Sequence, residues 1–157
     1  MNNSDICLVR ASLADAPKIW HMQKEAFAKL FEKYQDFETS PAAEPLEKTI
    51  FRLKQPETYF YMIQLDKQTV GAVRVIDSGN NNRKRISPIF ILPKFRNMGI
   101  AQKAIILAEK IHGSKNWELD TIIQEKGNCH LYEKMGYRTT GKTKIINDKL
   151  TLVFYQK

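Results

Sequence analysis

Apolar residues along this chain follow two rhythms, one of two residues and one of three to four. Ile6 and Leu8, flanked by Cys7 and Val9, read as a first strand ending near Arg10-Ala11. Ile19, Met22, Ala26, Phe27 and Leu30 then recur at the spacing of one helix face. Ser12-Leu-Ala-Asp15 has the form of a capping box and Pro17 suits a first turn, so this helix is predicted to begin at Ser12. YQDFETSPAAEP, residues 34 to 45, breaks the period with two prolines and predicts a loop. A second helix is predicted from Glu44 to Lys54, with Leu46, Ile50 and Leu53 on one side.

Beyond Lys54 the two-residue rhythm takes over. Thr58 to Leu65 is aromatic and apolar, Asp66-Lys-Gln68 is a turn, and Thr69 to Ile76 returns, which predicts a hairpin. After the turn formers Asp77 to Asn82, Arg85 to Leu92 is predicted to pair as a fourth strand in an antiparallel meander. Pro88 cannot donate to a ladder, so a bulge or an edge is expected there. Ile100, Ala104, Leu107, Ala108 and Ile111 predict a third helix stopped by Gly113. Trp117 to Ile123 is predicted as a fifth strand, parallel to the fourth because a helix crosses between them. A short helix from Asn128 to Met135, closed by Gly136, precedes a terminal hairpin of Tyr137–Ile146 and Lys149–Tyr155 about Asn147-Asp148.

This pattern fits a single domain over residues 1–157, long enough to bury a core without staples. Apolar runs are short and the MNNSDICLVR start is polar, so neither a membrane span nor a signal peptide is expected, and a cytoplasmic protein follows. Cys7 and Cys129 match no metal spacing and are expected to be buried free thiols. The formal charge of +8 points to anionic partners, among which nucleic acid must be weighed. Arg83-Lys84-Arg85, the densest basic run, reads first as a solvated strand edge or loop.

The stretch Ile86 to Ile111, ISPIFILPKFRNMGIAQKAIILAEKI, carries the chemistry. A strand ends at Pro93 and a tight turn opens a helix at Ile100. The first turn of such a helix has unpaired N–H groups and positive dipole charge, and Gly99 removes the side chain that would hold an anion away. The Arg96-x-x-Gly99-x-Ala101 pattern resembles the coenzyme-binding motif of the GNAT superfamily of N-acetyltransferases, and the resemblance runs from Ile6 to Tyr155. It implies an α+β fold, with a mixed, mostly antiparallel sheet of six to seven strands, about four flanking helices, and fourth and fifth strands that splay. It also implies that the pyrophosphate of acetyl-coenzyme A lies on the amides of Arg96, Asn97, Met98, Gly99, Ile100, Ala101 and Gln102. Ile89, Phe90 and Ile91 would line the pantetheine arm and thioester.

Aminolysis of a thioester requires a neutral amine, an oriented carbonyl and stabilisation of the departing thiolate. Leu131-Tyr-Glu-Lys-Met-Gly-Tyr137 resembles the second GNAT motif, which makes Tyr132 the general acid at the coenzyme sulfur. Family members often have an asparagine seven residues before that tyrosine. Here Glu125 holds the position and Asn128 lies four before, so Asn128 is the expected substitute contact. Asp120 matches the place of a carboxylate that deprotonates the amine through water, with Glu118, on the same strand face, as the alternative. The resemblance places the first helix and the loop after it beside the acceptor, so Tyr34, Asp36 and Glu38 are candidates for holding a cationic amine. Lys94, Arg96, Lys103 and Lys134 are the cations nearest the phosphates in sequence.

Three functions of different classes remain open. The first is an acetyl-coenzyme A-dependent N-acetyltransferase acting by direct attack of a primary amine, without metal, as monomer or homodimer. The second is a catalytically silent acyl-coenzyme A sensor or protein-interaction module of the same fold. The third is a basic nucleic-acid binder, for which the chain offers no helix-turn-helix, zinc or aromatic-basic motif. The acceptor itself, whether polyamine, aminoglycoside, amino acid or protein amine, is not encoded in any recognisable motif.

Overall fold

A computed structural model of the protein describes residues 5–157, so the first four residues of the polar amino-terminal stretch lie outside the described residues. The elements in chain order are β1 (Ile6–Arg10), α1 (Ala16–Tyr34), α2 (Leu46–Lys54), β2 (Thr58–Leu65), β3 (Gln68–Ile76), β4 (Lys84–Ile91), α3 (Ile100–His112), β5 (Trp117–Ile122), α4 (Lys126–Lys134), β6 (Arg138–Ile145) and β7 (Thr151–Gln156). The strands form one seven-stranded sheet in the order β1-β2-β3-β4-β5-β7-β6. Only the β4–β5 pairing is parallel, as the crossover through α3 requires. The expected mixed sheet and four helices are therefore present, and β7 inserts between β5 and β6.

Strand alternation sorts the side chains into two cores. On one face Tyr61, Ile63, Val73, Val75, Ile86 and Ile91 pack with Ile100, Ala104, Ile105 and Ala108 of α3 and with Cys129 and Tyr132 of α4. On the other face Phe60, Met62, Ala72 and Phe90 pack beneath Ile19, Met22 and Ala26 of α1. Both faces of β3 are covered, which is why Val70 to Val75 is buried throughout. Gly71 is required where β3 and β4 approach, because a Cβ there would stand 2.1 Å from the Phe90 carbonyl oxygen.

Four expectations need correction. The Ser12–Asp15 box forms, with the Ser12 amide donating to the Asp15 carboxylate at 2.8 Å, but it closes a short 3-10 turn over Leu13–Asp15; α1 begins at Ala16 with Pro17 in its first turn. The second helix starts at Leu46, because the residue before Pro45 is disfavoured in the α region, and Glu44 becomes the ion-pair partner of Arg52 and Lys48. Cys129 is buried, whereas Cys7 is exposed, since it projects from the opposite side of edge strand β1 to its buried neighbour Ile6. Ile111, expected in the core with the other aliphatic residues of α3, is also exposed, and the buried apolar positions of that helix are Ile100, Ala104, Ile105 and Ala108. Among the described residues no helix is long and apolar enough to cross a membrane.

Candidate active site

The sheet opens between β4 and β5. Their pairing comprises Lys84 with Trp117 and Arg85 with Glu118, and the rest of both strands has no common ladder. The opening coincides with the irregularity expected at Pro88: between the pairs Val75–Ile86 and Val73–Ile89, β3 advances two residues and β4 three, a bulge at Ser87-Pro88. A cavity of about 440 Å³ occupies the mouth of the split. Its walls come from Arg85 to Ile89, from Asp120 to Ile122, from Asn128 and Tyr132 on α4, from Phe27 and Leu30 on α1, from the loop after α1 and from the terminal hairpin.

The ladder determines what β4 offers to this opening. Phe90 is paired with Ala72, its carbonyl turned toward Gly71, and the Leu92 amide donates to the Val70 carbonyl at 2.8 Å, so these residues direct their polar groups at β3. Ile89 and Ile91 face the open edge, where Arg96 Nε occupies the Ile91 carbonyl at 3.1 Å. Ile89 lines the cavity. The side chains of Phe90 and Ile91 do not: Phe90 is buried edge-on to Phe27 under α1, and Ile91 is buried in the core beneath α3. Of this expected trio, Ile89 is the residue brought to the opening.

Past β4, Pro93–Phe95 makes a 3-10 turn, and Asn97 and Gly99 adopt left-handed φ values of 63° and 75°. Gly99 caps α3, its carbonyl accepting from the Lys103 amide at 3.2 Å, which leaves the Ile100, Ala101 and Gln102 amides without intrahelical acceptors. Among the described residues no heavy atom beyond Gly99 and its two chain neighbours lies within 4 Å of where a Gly99 Cβ would stand, so the approach to these amides is open. The Arg96 side chain is committed elsewhere: besides Ile91 it donates from Nη2 to the Ala26 carbonyl at 2.5 Å, tying the turn to α1. Lys94 lies over the Phe95 ring and Lys134 is exposed on α4.

Tyr132 and Asp120 meet in the cavity. Burial pushes the Tyr132 phenol up to about 12, with further repulsion from the Asp120 charge, so it is fully protonated at neutral pH. Asp120 Oδ2 is paired with Arg85 across the split. Glu118 opens instead onto an adjoining groove shared with Arg85 and Lys142.

The loop after α1 is rigidified by its own carboxylate. Asp36 is buried and accepts from the Glu38 and Thr39 amides at 3.1 and 2.8 Å and from the Thr39 hydroxyl. Glu38 is exposed, 3.8 Å from Lys144. Tyr34 donates to Glu125 at 2.5 Å while Lys33 pairs with the same oxygen at 2.9 Å, and Asn147 Nδ2 donates to the Tyr34 carbonyl at 2.9 Å. The Tyr34 hydroxyl, aided by Lys33 and opposed by burial, holds the Glu125 carboxyl below its usual range. Of these four groups, Asp36 lines the cavity.

Sequence reasoning missed Arg85 and Arg74. The basic run was expected to be solvated, yet Arg83 donates to the Trp117 carbonyl, Lys84 lies over the Trp117 ring and donates to the Lys115 carbonyl, and Arg85 reaches Asp120. Arg74 is buried at the bulge with Nε on the Ser87 carbonyl, and burial, with repulsion from Arg52 and Arg85, lowers its guanidinium to about 10. A charged residue inside an otherwise apolar strand was the available signal for Arg74. For Arg85 there was none, because its partner is 35 residues away.

Comparison of the sequence with curated proteins finds no match. The fold has close counterparts among solved structures. Spermidine N-acetyltransferase from Vibrio cholerae, solved with coenzyme A and spermine, superimposes with a TM-score of 0.76 at 18% identity, over 98% of this chain and 95% of that one. The microcin C7 self-immunity acetyltransferase MccE, solved with acetyl-coenzyme A and AMP, gives 0.73 at 16% identity over 99% and 93%. The ribosomal-protein-S18-alanine N-acetyltransferase of Escherichia coli gives 0.73 at 9% identity over 96% and 91%. At these identities the likeness is one of fold. In sequence, residues 18–137 match the model of the acetyltransferase (GNAT) family. The matched span runs from α1 through the split, the glycine-capped helix and α4; the chain belongs to the acetyltransferase (GNAT) family and is, on that ground, an acyltransferase that draws on acetyl-coenzyme A.

Proposed function

We propose that the protein transfers the acetyl group of acetyl-coenzyme A to a primary amine by direct attack, and that the β4–β5 split is where the two substrates meet. The observation that carries this reading is the convergence of a protonated buried phenol, a strand carboxylate and an open strand edge on one cavity. The residues present fit the coenzyme: the first-turn amides of α3 stand behind an unobstructed Gly99, and the free edge of β4 at Ile89 offers the amide and carbonyl that an extended pantetheine arm would pair with. Arg96 supports this cradle by fixing the turn to Ile91 and Ala26 rather than by reaching for the phosphates.

In the reaction a carbon–nitrogen bond forms as the carbon–sulfur bond breaks, and the ammonium nitrogen loses two protons, one before attack and one that passes to the departing thiolate as the tetrahedral intermediate collapses. Asp120 receives the ammonium proton, directly or through water. Tyr132 donates to the sulfur. A phenol at about 12 is a weaker acid than a thiol, whose usual value is about 8.5, so its contribution is a hydrogen bond that stabilises negative charge on sulfur more than a completed proton transfer. The test is coenzyme A release from acetyl-coenzyme A across a panel of primary amines. Turnover with at least one amine, abolished when that amine is acetylated beforehand, is the expected result. Tight coenzyme binding with no turnover on any amine would instead mark a binding module.

A further inference from the structure

The charges lining the cavity are unevenly satisfied. The carboxylates are Asp36 and Asp120 and the cations are Arg85 and Lys144, so the formal charge is balanced. Asp36 already accepts three hydrogen bonds from its own loop, and Asp120 Oδ2 is taken by Arg85. The guanidinium, by contrast, uses one of its five N–H donors on Asp120 and is half-buried at the cavity wall. Arg74, 6% exposed beside the bulge, donates to the Ser87 carbonyl and does not line the cavity; its charge is favoured by Glu44, although among the described residues no carboxylate lies within 4 Å of it. At the cavity wall Arg85 therefore has more donors than Asp120 Oδ2 occupies.

A polyamine entering here meets no unoccupied pair of carboxylates, and the balanced charge gives a polycation no net attraction. A dipolar ligand fits better. Arg85 presents the rest of its fork, which suits bidentate carboxylate binding, and among the described residues Asp120 Oδ1 beside it has no hydrogen-bond partner, which suits an ammonium. The remaining lining, including Phe27, Leu30, Ile122, Leu152 and Phe154, is apolar.

We infer that the acceptor is an amine that also carries a carboxylate, an amino acid with an apolar body, held by its carboxylate on Arg85 with its ammonium at Asp120. This rests on the acetyl-transfer reading and narrows its acceptor. Binding in this way places the ammonium on the group that takes its proton. The first ammonium proton moves to Asp120, the freed amine attacks the thioester carbonyl, and as the carbon–sulfur bond breaks the nitrogen's second proton passes to the departing sulfur, so that coenzyme A leaves as the thiol from a thiolate hydrogen-bonded by Tyr132.

The test compares kcat/KM for matched acceptors: leucine and phenylalanine, their amides, the corresponding decarboxylated amines, and spermidine. The free amino acids are expected to be favoured at least tenfold over their partners, and Arg85→Gln to reduce that ratio to near one. A readout that needs no variant accompanies it: in the unsubstituted protein 3-phenylpropionate, which has the carboxylate but no amine, should inhibit competitively against the acceptor. Preference for spermidine or a decarboxylated amine, survival of the amino-acid preference in Arg85→Gln, or absence of that inhibition overturns the inference while leaving acetyl transfer in place. Failure of every amine to release thiol, with coenzyme still bound, removes the acetyl-transfer reading and this inference with it.

Discussion

The two halves of the split are built by different means. The proposed coenzyme half comes from one continuous stretch, from the bulge at Ser87-Pro88 through Ile89 to the α3 amides, and the groups it would offer belong to the backbone. The proposed acceptor half is assembled from α1, the loop after it, β5 and the terminal hairpin; Arg85 pairs with Asp120 at the cavity wall, and outside the cavity Tyr34 bonds to Glu125 and Asn147 to the Tyr34 carbonyl, tying these elements together. A backbone site is specified by local geometry and tolerates much change in sequence. A side-chain site can be rewritten residue by residue. The spermidine and ribosomal-protein-S18-alanine N-acetyltransferases that superimpose on this chain share its fold at 18% and 9% identity and differ in their named acceptors.

The largest expected effects lie where the halves meet. Tyr132→Phe retains the ring that packs edge-on to Tyr137 and deletes the hydroxyl offered to the sulfur. Loss of one positioned donor to a developing charge costs about 10²–10³ in rate, so kcat should fall by that factor with melting temperature and acetyl-coenzyme A affinity nearly unchanged. Equal turnover by parent and variant at every pH would remove Tyr132 from the chemistry. Asp120→Asn should lower kcat/KM by about 10-fold to 10²-fold, again without loss of coenzyme affinity. If calorimetry showed affinity falling together with the rate, Asp120 would belong to the coenzyme half and the division drawn here would be misplaced.

Legibility in the sequence divided along the same line. The alternation from Thr58 to Leu92, the proline at the bulge, the glycine before α3 and the Tyr132 segment were all readable, because each follows from nearest-neighbour sterics or a fixed period. Phe90 went astray by one step of strand alternation, since it points to the layer under α1, whereas Ile91 shares the face of Ile89 but is buried in the core beneath α3 rather than at the cavity. Arg96 kept its place in the motif, but its guanidinium serves a carbonyl on α1 70 residues away. Glu125 stood out as a departure from the family pattern, yet its bond to Tyr34 spans 91 positions and has no local signature. Solvated and paired charges look alike until the fold brings their partners together.

A smaller effect tests the backbone half alone. Gly99→Val places a branched side chain at φ 75°, where L residues are strained, and over the amides of Ile100 and Ala101. Acetyl-coenzyme A affinity should fall about tenfold, roughly 1.4 kcal/mol, with kcat at saturating coenzyme much less affected. Calorimetry on the folded variant measures this directly. Unchanged affinity would place the pyrophosphate away from α3.

The smallest effect concerns the strap that closes the acceptor half. Tyr34→Phe removes the hydroxyl from Glu125 and leaves Lys33, which is exposed, as the partner of that carboxylate. A hydrogen bond of this kind contributes about 1 kcal/mol, which for a domain of this size is a fall of about 2–4 °C in melting temperature. Its pH dependence identifies the bond. The Tyr34 hydroxyl and Lys33 hold the Glu125 carboxyl below its ordinary 4.5, so this stabilisation is fully present above that value and disappears as pH falls through the lower folded-state value. Burial, and secondarily the Glu125 carboxylate, raise the Tyr34 phenol above its ordinary 10.0, so the phenol's stabilisation is present below that value and disappears as pH rises through the folded-state one. The deficit of the variant should therefore be largest across neutral pH and shrink toward both extremes. A deficit that stays constant from acid to alkali would mean that the hydroxyl acts through packing alone and that the acceptor half is held shut by its apolar contacts.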